Sequence, residues 1–146
     1  QRTDLWTIHT YEQDPQKLRG LLRRERNGEV FRNYPETETL YEGQPYIVDE
    51  FGGIKWIPEG RRPHGDNSWG YGDAPKTEEE FYRRLEGLVR AVVEQEHICG
   101  YCYTQLTDVE QEQNGVYTYD RTEKLPVDRL RALFRLPSAQ PRESGD

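Results

Sequence analysis

The segment Tyr46–Ile54 places the strongest constraint on the fold of this chain. Ile47 and Val48 are adjacent β-branched residues, which favour a strand that is covered on both faces. A double glycine near the end of the segment lets the backbone turn sharply after Glu50. The sequence therefore predicts a short buried strand that ends on a carboxylate. In a parallel barrel, the C-terminal tip of a strand is where the architecture places its chemistry.

Three strand-like segments alternate with three amphipathic, helix-like segments. The predicted strands are 5–11, 46–50 and 98–106. The first predicted helix has Asp14 as its N-cap and Pro15 at its first position, and it ends near Asn27-Gly28. The second follows a capping box at 77–80, and the last lies around 127–134. This order indicates βα units around a parallel sheet. Three units are too few for a closed eight-stranded barrel, which needs roughly 200 or more residues.

The fold prediction is therefore α/β, the C-terminal portion of a TIM (β/α)8 barrel with about three βα units, strands 6–8. Residues 1–136 would form this partial barrel domain, and 137–146 a disordered polar tail. The first five units would be missing, so we expect bare strand edges and self-association, with a homo-oligomer as one form of it. The chain contains no Met, not even an initiator, which suggests a fragment of a longer protein.

Composition excludes several classes of partner. The net charge of −7 argues against nucleic acid and gives no attraction to anionic membranes, so a neutral substrate fits better. No apolar run approaches the ~20 residues of a membrane span. Two cysteines without a secretion signal suggest a reducing, cytoplasmic compartment.

The cysteines form a Cys-x-x-Cys motif at Cys99 and Cys102, which raises a redox or metal alternative. A reactive dithiol of this kind should open a helix, but a strand-like segment follows here. A zinc site would need two more ligands, and the chain offers only His9, His64 and His97. We therefore expect no metal and no cofactor, and two strand cysteines packed as small apolar groups.

Several segments resemble glycoside hydrolase family 2, the β-galactosidase and β-glucuronidase family. Tyr-Ile-Val-Asp-Glu-Phe-Gly-Gly at 46–53 is similar to its seventh, nucleophile-bearing strand. Gly-Tyr-Cys-Tyr-Thr-Gln-Leu-Thr-Asp at 100–108 is similar to its eighth strand, and 114–121 to the segment after it. Ile-His-Thr-Tyr at 8–11 lies where the sixth strand would end. The matching segments occur in the family's order.

The resemblance implies retaining glycoside hydrolysis, with Glu50 as the nucleophile and Tyr11 as the residue that hydrogen-bonds to it. That mechanism needs two carboxyl groups about 5–5.5 Å apart. The family's acid/base Glu follows an Asn at the end of the fourth strand, and this chain contains no Asn-Glu dipeptide. The chain would thus carry half of a catalytic pair and be inactive alone, and its partner would be the remaining N-terminal part of the same protein.

Four further residues are candidates for contact with a carbohydrate substrate. Trp56, Trp69 and Tyr71 lie in the loop after the nucleophile strand, where their rings either pack on a sugar or fold the loop onto the barrel. Asp108 either faces the site or caps its own loop. Glucuronide-cleaving relatives often carry Asn-x-Lys before the glycine that matches Gly115, and this chain has Glu-Gln-Asn there. A neutral sugar such as galactose is therefore expected.

Three functional hypotheses follow. The first is a fragment of a retaining β-glycosidase that resembles β-galactosidase and carries the nucleophile without the acid/base. The second is a non-catalytic carbohydrate-binding or assembly segment. The third is a redox or metal module built on the Cys-x-x-Cys motif.

Overall fold

The computed structural model describes residues 3–61 and 67–139. Strands and helices alternate strictly along this part of the chain, as the sequence predicts. The elements are β1 Trp6–Thr10, α1 Pro15–Leu22, β2 Tyr46–Gly52, α2 Glu78–Val93, β3 Ile98–Thr104 and α3 Val127–Phe134. The predicted bounds of α3 are confirmed, and the predicted strands differ from the observed ones by one or two residues at their ends.

The three strands form one parallel sheet in the order β1-β2-β3. Trp6 pairs with Tyr46, which in turn pairs with Ile98, so all three strands start at the same level. Irregularities interrupt the register after Ile8 in β1 and after Val48 in β2. Parallel pairing brings the C-terminal ends of the strands to one edge of the sheet, and Glu50 lies near this edge.

The helices cover one face of the sheet. Side chains of β1 and β2, among them Ile8 and Val48, share a buried hydrophobic cluster with Leu85 and Leu88 of α2. The alternate positions face away from this cluster, and Thr7 and His9 are exposed while Ile47 and Asp49 are half-buried. The prediction that β2 is covered on both faces is therefore wrong within the described residues, because the helices pack on one side only.

The first helix is shorter than predicted. Asp14 caps it as expected by accepting hydrogen bonds from the amides of Gln16 and Lys17. The helix ends at Leu22, where Arg23 takes an extended conformation. The Asn27-Gly28 signal instead marks a separate tight turn with Gly28 at φ 89°, a conformation that glycine adopts without strain.

The cysteine motif lies on a strand, as predicted. Cys99 and Cys102 are both free thiols on β3. Both are exposed, so the expectation that they pack as small apolar groups is wrong. Residues 3–61 and 67–139 contain no group of three or more His, Cys, Asp or Glu side chains suited to a metal ion. His64 lies outside the described residues.

Two further observations concern membrane-spanning helices and the C-terminal segment. Within residues 3–61 and 67–139, no helix has the length and apolar character needed to cross a membrane. After α3 the chain returns to α2, where the amide of Ala139 donates to the carbonyl of Val93 over 2.7 Å. The predicted polar tail is described only as far as Ala139, and its remaining residues lie outside the described part.

An asparagine side chain satisfies part of the free edge of β1. Asn33 Oδ1 accepts from the backbone N–H of His9 over 2.9 Å, and Asn33 Nδ2 donates to the His9 carbonyl over 2.8 Å. These are the two bonds that a neighbouring strand would make at this residue. The expectation of a bare edge is therefore wrong at His9, because the long connection between α1 and β2 supplies a substitute.

Replacing Asn33 with Ala should leave both backbone groups of His9 without a protein partner. We expect the free energy of unfolding to fall by about 1–2 kcal/mol, as is usual for the loss of such hydrogen bonds. The freed edge should also promote association. Denaturant titration and sedimentation velocity measure the two effects. Asn27→Ala is the matched control, since that amide serves only an exposed local turn; equal behaviour of the two variants would contradict the role of Asn33.

Candidate active site

The site is centred on a bond between the two residues that the sequence singles out. Tyr11 follows directly after β1, and its hydroxyl donates a hydrogen bond to Oε2 of Glu50 on β2. The hydroxyl also lies 3.5 Å from Oγ1 of Thr104, the last residue of β3. The C-terminal ends of all three strands therefore contribute to one cluster of polar side chains.

The surroundings of Tyr11 favour its protonated form. Burial of the ring, and then the hydrogen bond to Glu50, raise the pKa of Tyr11 well above its ordinary value. Tyr11 thus keeps its proton throughout the neutral range and acts as a donor. Glu50 itself is exposed and open to an incoming ligand.

A glutamine fixes the loop that carries Tyr11. Gln13 Nε2 donates to the carbonyl of Tyr11 over 3.1 Å and also to the carbonyl of Gly52. The amide therefore ties the end of β1 to the end of β2, next to the Tyr11–Glu50 bond. Sequence reasoning missed Gln13 and Thr104 as site residues, although the position of Thr104 at a strand tip was an available signal.

Two of the predicted aromatic residues adjoin this cluster. The ring of Tyr71 stacks on that of Tyr11 with centroids 3.6 Å apart and planes within 2°. Trp69 contacts Tyr71 edge to face, with centroids 5.7 Å apart. Trp69 is 45% exposed, so part of its side chain is open to solvent. Contacts therefore run from Trp69 to Tyr71, from Tyr71 to Tyr11, and from Tyr11 to Glu50.

Backbone hydrogen bonds join three loop segments, 53–56, 68–71 and 111–113, at this end of the sheet. Tyr71 N donates to Gly53 O over 2.9 Å, and Trp69 N donates to Gln111 O over 2.8 Å. Gln113 completes the connection, because its amide donates to Trp69 O and its carbonyl accepts from Trp56 N. Trp69 is therefore held by two main-chain bonds to the 111–113 segment, and Tyr71 by one main-chain bond to Gly53.

The other two predicted binding residues lie in different surroundings. Trp56 is half-buried, and its ring packs against Phe81 of α2 with centroids 5.8 Å apart. Asp108 is buried, and its Oδ1 accepts from Lys124 Nζ over 2.7 Å and from Gly115 N over 2.9 Å. Trp56 therefore packs its loop against α2, and Asp108 acts as a structural cap of its own loop. Direct substrate contact by either residue stays a prediction.

Similarity in three dimensions supports the family resemblance at the level of fold. No family model and no curated protein sequence matches the chain. A GH2 β-galacturonidase from Eisenbergiella tayi superposes with a TM-score of 0.54 at 19% identity, over 97% of this chain and 25% of that one. An agarase superposes with a TM-score of 0.51 at 14% identity, over 90% of this chain and 18% of that one.

A β-D-glucuronidase from Dictyoglomus thermophilum also matches, with a TM-score of 0.49 at 16% identity over 92% of this chain and 23% of its own. The chain thus spans about a quarter or less of the length of these solved structures. It is similar in fold to a segment of glycoside hydrolases, a GH2 β-galacturonidase among them.

Proposed function

We propose that this chain is the part of a retaining β-glycosidase that carries the nucleophile. The observation that carries the proposal is the hydrogen bond from Tyr11 to Glu50 at the C-terminal edge of a parallel sheet. In the proposed mechanism the Glu50 carboxylate attacks the anomeric carbon as the bond to the leaving oxygen breaks. A second carboxylic acid protonates that oxygen, and we place this acid in a longer protein that includes the chain.

The architecture supports assignment to the last three units of a (β/α)8 barrel. Each strand is followed by a helix, the strands are parallel, and the helices pack on one face. Thr7 and His9 on the opposite face are exposed, as barrel-interior positions would be in a sector without its other strands. The superposition on a GH2 β-galacturonidase, over 97% of this chain, supports the coarser statement that the fold is like that of a segment of a glycosidase.

Contacts near the end of β3 favour a neutral sugar. Asn114, which occupies the position of the lysine in glucuronide-cleaving relatives, is 1% exposed. Its side chain accepts from Gln105 Nε2 over 2.6 Å and donates to Glu112 Oε1 over 2.9 Å. A neutral amide engaged in these two bonds offers no positive charge to a uronate carboxylate. A galactoside is therefore our proposed substrate, with the exposed Trp69 ring as a packing surface for the sugar.

A non-catalytic carbohydrate-binding segment is the second candidate function. The exposed ring of Trp69 favours it, because aromatic rings bind sugar faces without any chemistry. The two candidates differ in one respect: only the enzyme forms a covalent bond to its sugar.

Covalent trapping tests the proposal in a protein that joins this chain to its acid/base segment. A 2-deoxy-2-fluoro-β-galactoside with a dinitrophenolate leaving group should release that group and leave the sugar esterified to Glu50. Intact mass should rise by one fluorosugar, and peptide mapping should place it on 46–53. The Glu50→Gln variant is the control and should remain unlabelled. Labelling of another residue, or turnover without any adduct, would contradict the role of Glu50.

A further inference from the structure

We propose that Tyr71 is a positioning residue whose ring holds the Tyr11 hydroxyl against Glu50, an inference that rests on the proposed function. Tyr11 lies beyond the last residue of β1, so the sheet hydrogen bonds do not fix its ring. The ring of Tyr71 lies flat against it, with centroids 3.6 Å apart. The stack restricts the motion of Tyr11 away from the bond to Glu50.

The geometry of the stack indicates that the backbone imposes it. Aromatic pairs prefer offset or edge-to-face arrangements to a close face-to-face one. Here the planes are within 2° of parallel at a short centroid separation. Attraction between the rings alone would not select this arrangement. The hydrogen bond from Tyr71 N to Gly53 O, over 2.9 Å, brings the segment into place.

Gly53 provides the space that the two rings need. A Cβ atom at this position would lie 2.4 Å from Cδ2 of Tyr71 and 3.1 Å from Cδ1 of Tyr11. Its φ of 67° is also one that side-chain-bearing residues rarely adopt. Glycine at position 53 therefore allows both rings to sit against the backbone just past β2, three residues after Glu50.

The segment that carries Tyr71 is anchored independently of Tyr11. Trp69 is bonded through its amide and carbonyl to Gln111 and Gln113, and Lys55 Nζ donates to Ser68 O over 2.6 Å. These bonds fix the backbone on the N-terminal side of Tyr71. The anchored ring is thus a support for Tyr11 rather than a side chain that moves with it.

The test compares Tyr71→Leu with the conservative Tyr71→Phe, which keeps the stacked ring. In the 146-residue chain with ¹³Cζ-labelled tyrosine, the Tyr11 signal is assigned by its loss in Tyr11→Phe. In Tyr71→Leu we expect that signal to lose the shift caused by the stacked ring, and the pKa of Tyr11 to fall toward its ordinary value of about 10. In Tyr71→Phe the shift and the raised pKa should both persist.

Kinetics in the longer protein supply the second readout. Tyr71→Leu should lower kcat by about tenfold to a hundredfold, because small misplacements of reacting groups cost this much. KM should change by less than kcat. The kcat of Tyr71→Phe should stay close to that of the unsubstituted protein. Gly53→Ala is a second variant that keeps both rings. Its methyl group would lie 2.4 Å from the Tyr71 ring, so that ring must shift and kcat should fall as in Tyr71→Leu.

The outcomes separate the two proposals. An unchanged pKa and chemical shift of Tyr11 in Tyr71→Leu would overturn the positioning role, whatever the activity. Full activity of a Glu50→Ala variant would overturn the proposed function instead. An altered Tyr11 signal in Tyr71→Leu together with an unchanged kcat would also overturn the positioning role, because the support would then have no effect on the reaction.

Discussion

Replacing Glu50 with Ala should lower kcat for an aryl β-galactoside by at least about 10³-fold in a protein that contains this chain and its acid/base segment, as loss of a nucleophile does elsewhere. The substitution removes the only group proposed to attack the anomeric carbon. Tyr11 would lose its acceptor as well. Initial rates measured at saturating substrate give the size of the effect.

Azide provides the decisive companion measurement. A small anion that enters the space left by the Glu50 side chain can attack the anomeric carbon as the phenolate leaves. Activity should therefore partly return, with the β-linked substrate converted by inversion to an α-glycosyl azide. Glu36→Ala is a suitable control, because this exposed glutamate lies in the connection between α1 and β2. Unchanged turnover by Glu50→Ala would remove Glu50 from the mechanism.

The second large effect concerns the buried ion pair between Lys124 and Asp108. Their side chains are 1% and 4% exposed, and Nζ lies 2.7 Å from Oδ1. Lys124→Met leaves the Asp108 carboxylate buried without its cation. We expect the free energy of unfolding to fall by about 3–5 kcal/mol, the usual cost of removing one partner of a buried pair. Urea titration of the chain measures it.

A double-mutant cycle separates the interaction energy of the Lys124–Asp108 pair from the cost of removing the two charges from water. Burial lowers the pKa of Lys124, while the hydrogen bond to Asp108 opposes that shift. The charge on Lys124 is therefore costly to bury, and a neutral replacement of both groups should recover stability. Asp108→Asn retains an acceptor for Gly115 N, so Lys124→Met with Asp108→Asn should be more stable than Lys124→Met alone. A loss below about 1 kcal/mol in Lys124→Met would contradict the expectation.

The elements whose signals are local could be predicted from the sequence. The capping threonine and the apolar spacing define α2, and Thr77 Oγ1 accepts from Glu80 N as expected, although the Glu80 carboxylate accepts from Lys76 N. The run of β-branched and aromatic residues defines β2. The Tyr11–Glu50 contact spans 39 residues and was reached through the family resemblance rather than through spacing.

The remaining features depend on contacts between distant residues that no local pattern encodes. Asn33 reaches the edge of β1 from a connection that reads only as a polar loop. Lys124 pairs with Asp108 across 16 residues, and nothing in its neighbourhood marks it as buried. The end of α1 was misplaced because the Asn27-Gly28 turn signal is equally suited to a turn that lies outside any helix.

The bond between Ala139 and Val93 determines where an attached label would project. Val93 ends α2 and precedes β3, whose first residue pairs with the first residue of β2. Glu50 is four residues further along β2, a rise of about 13 Å at the usual strand spacing. A dye or a biotin group attached at position 139 itself would therefore lie at the far end of the sheet and leave the approach to Glu50 unobstructed.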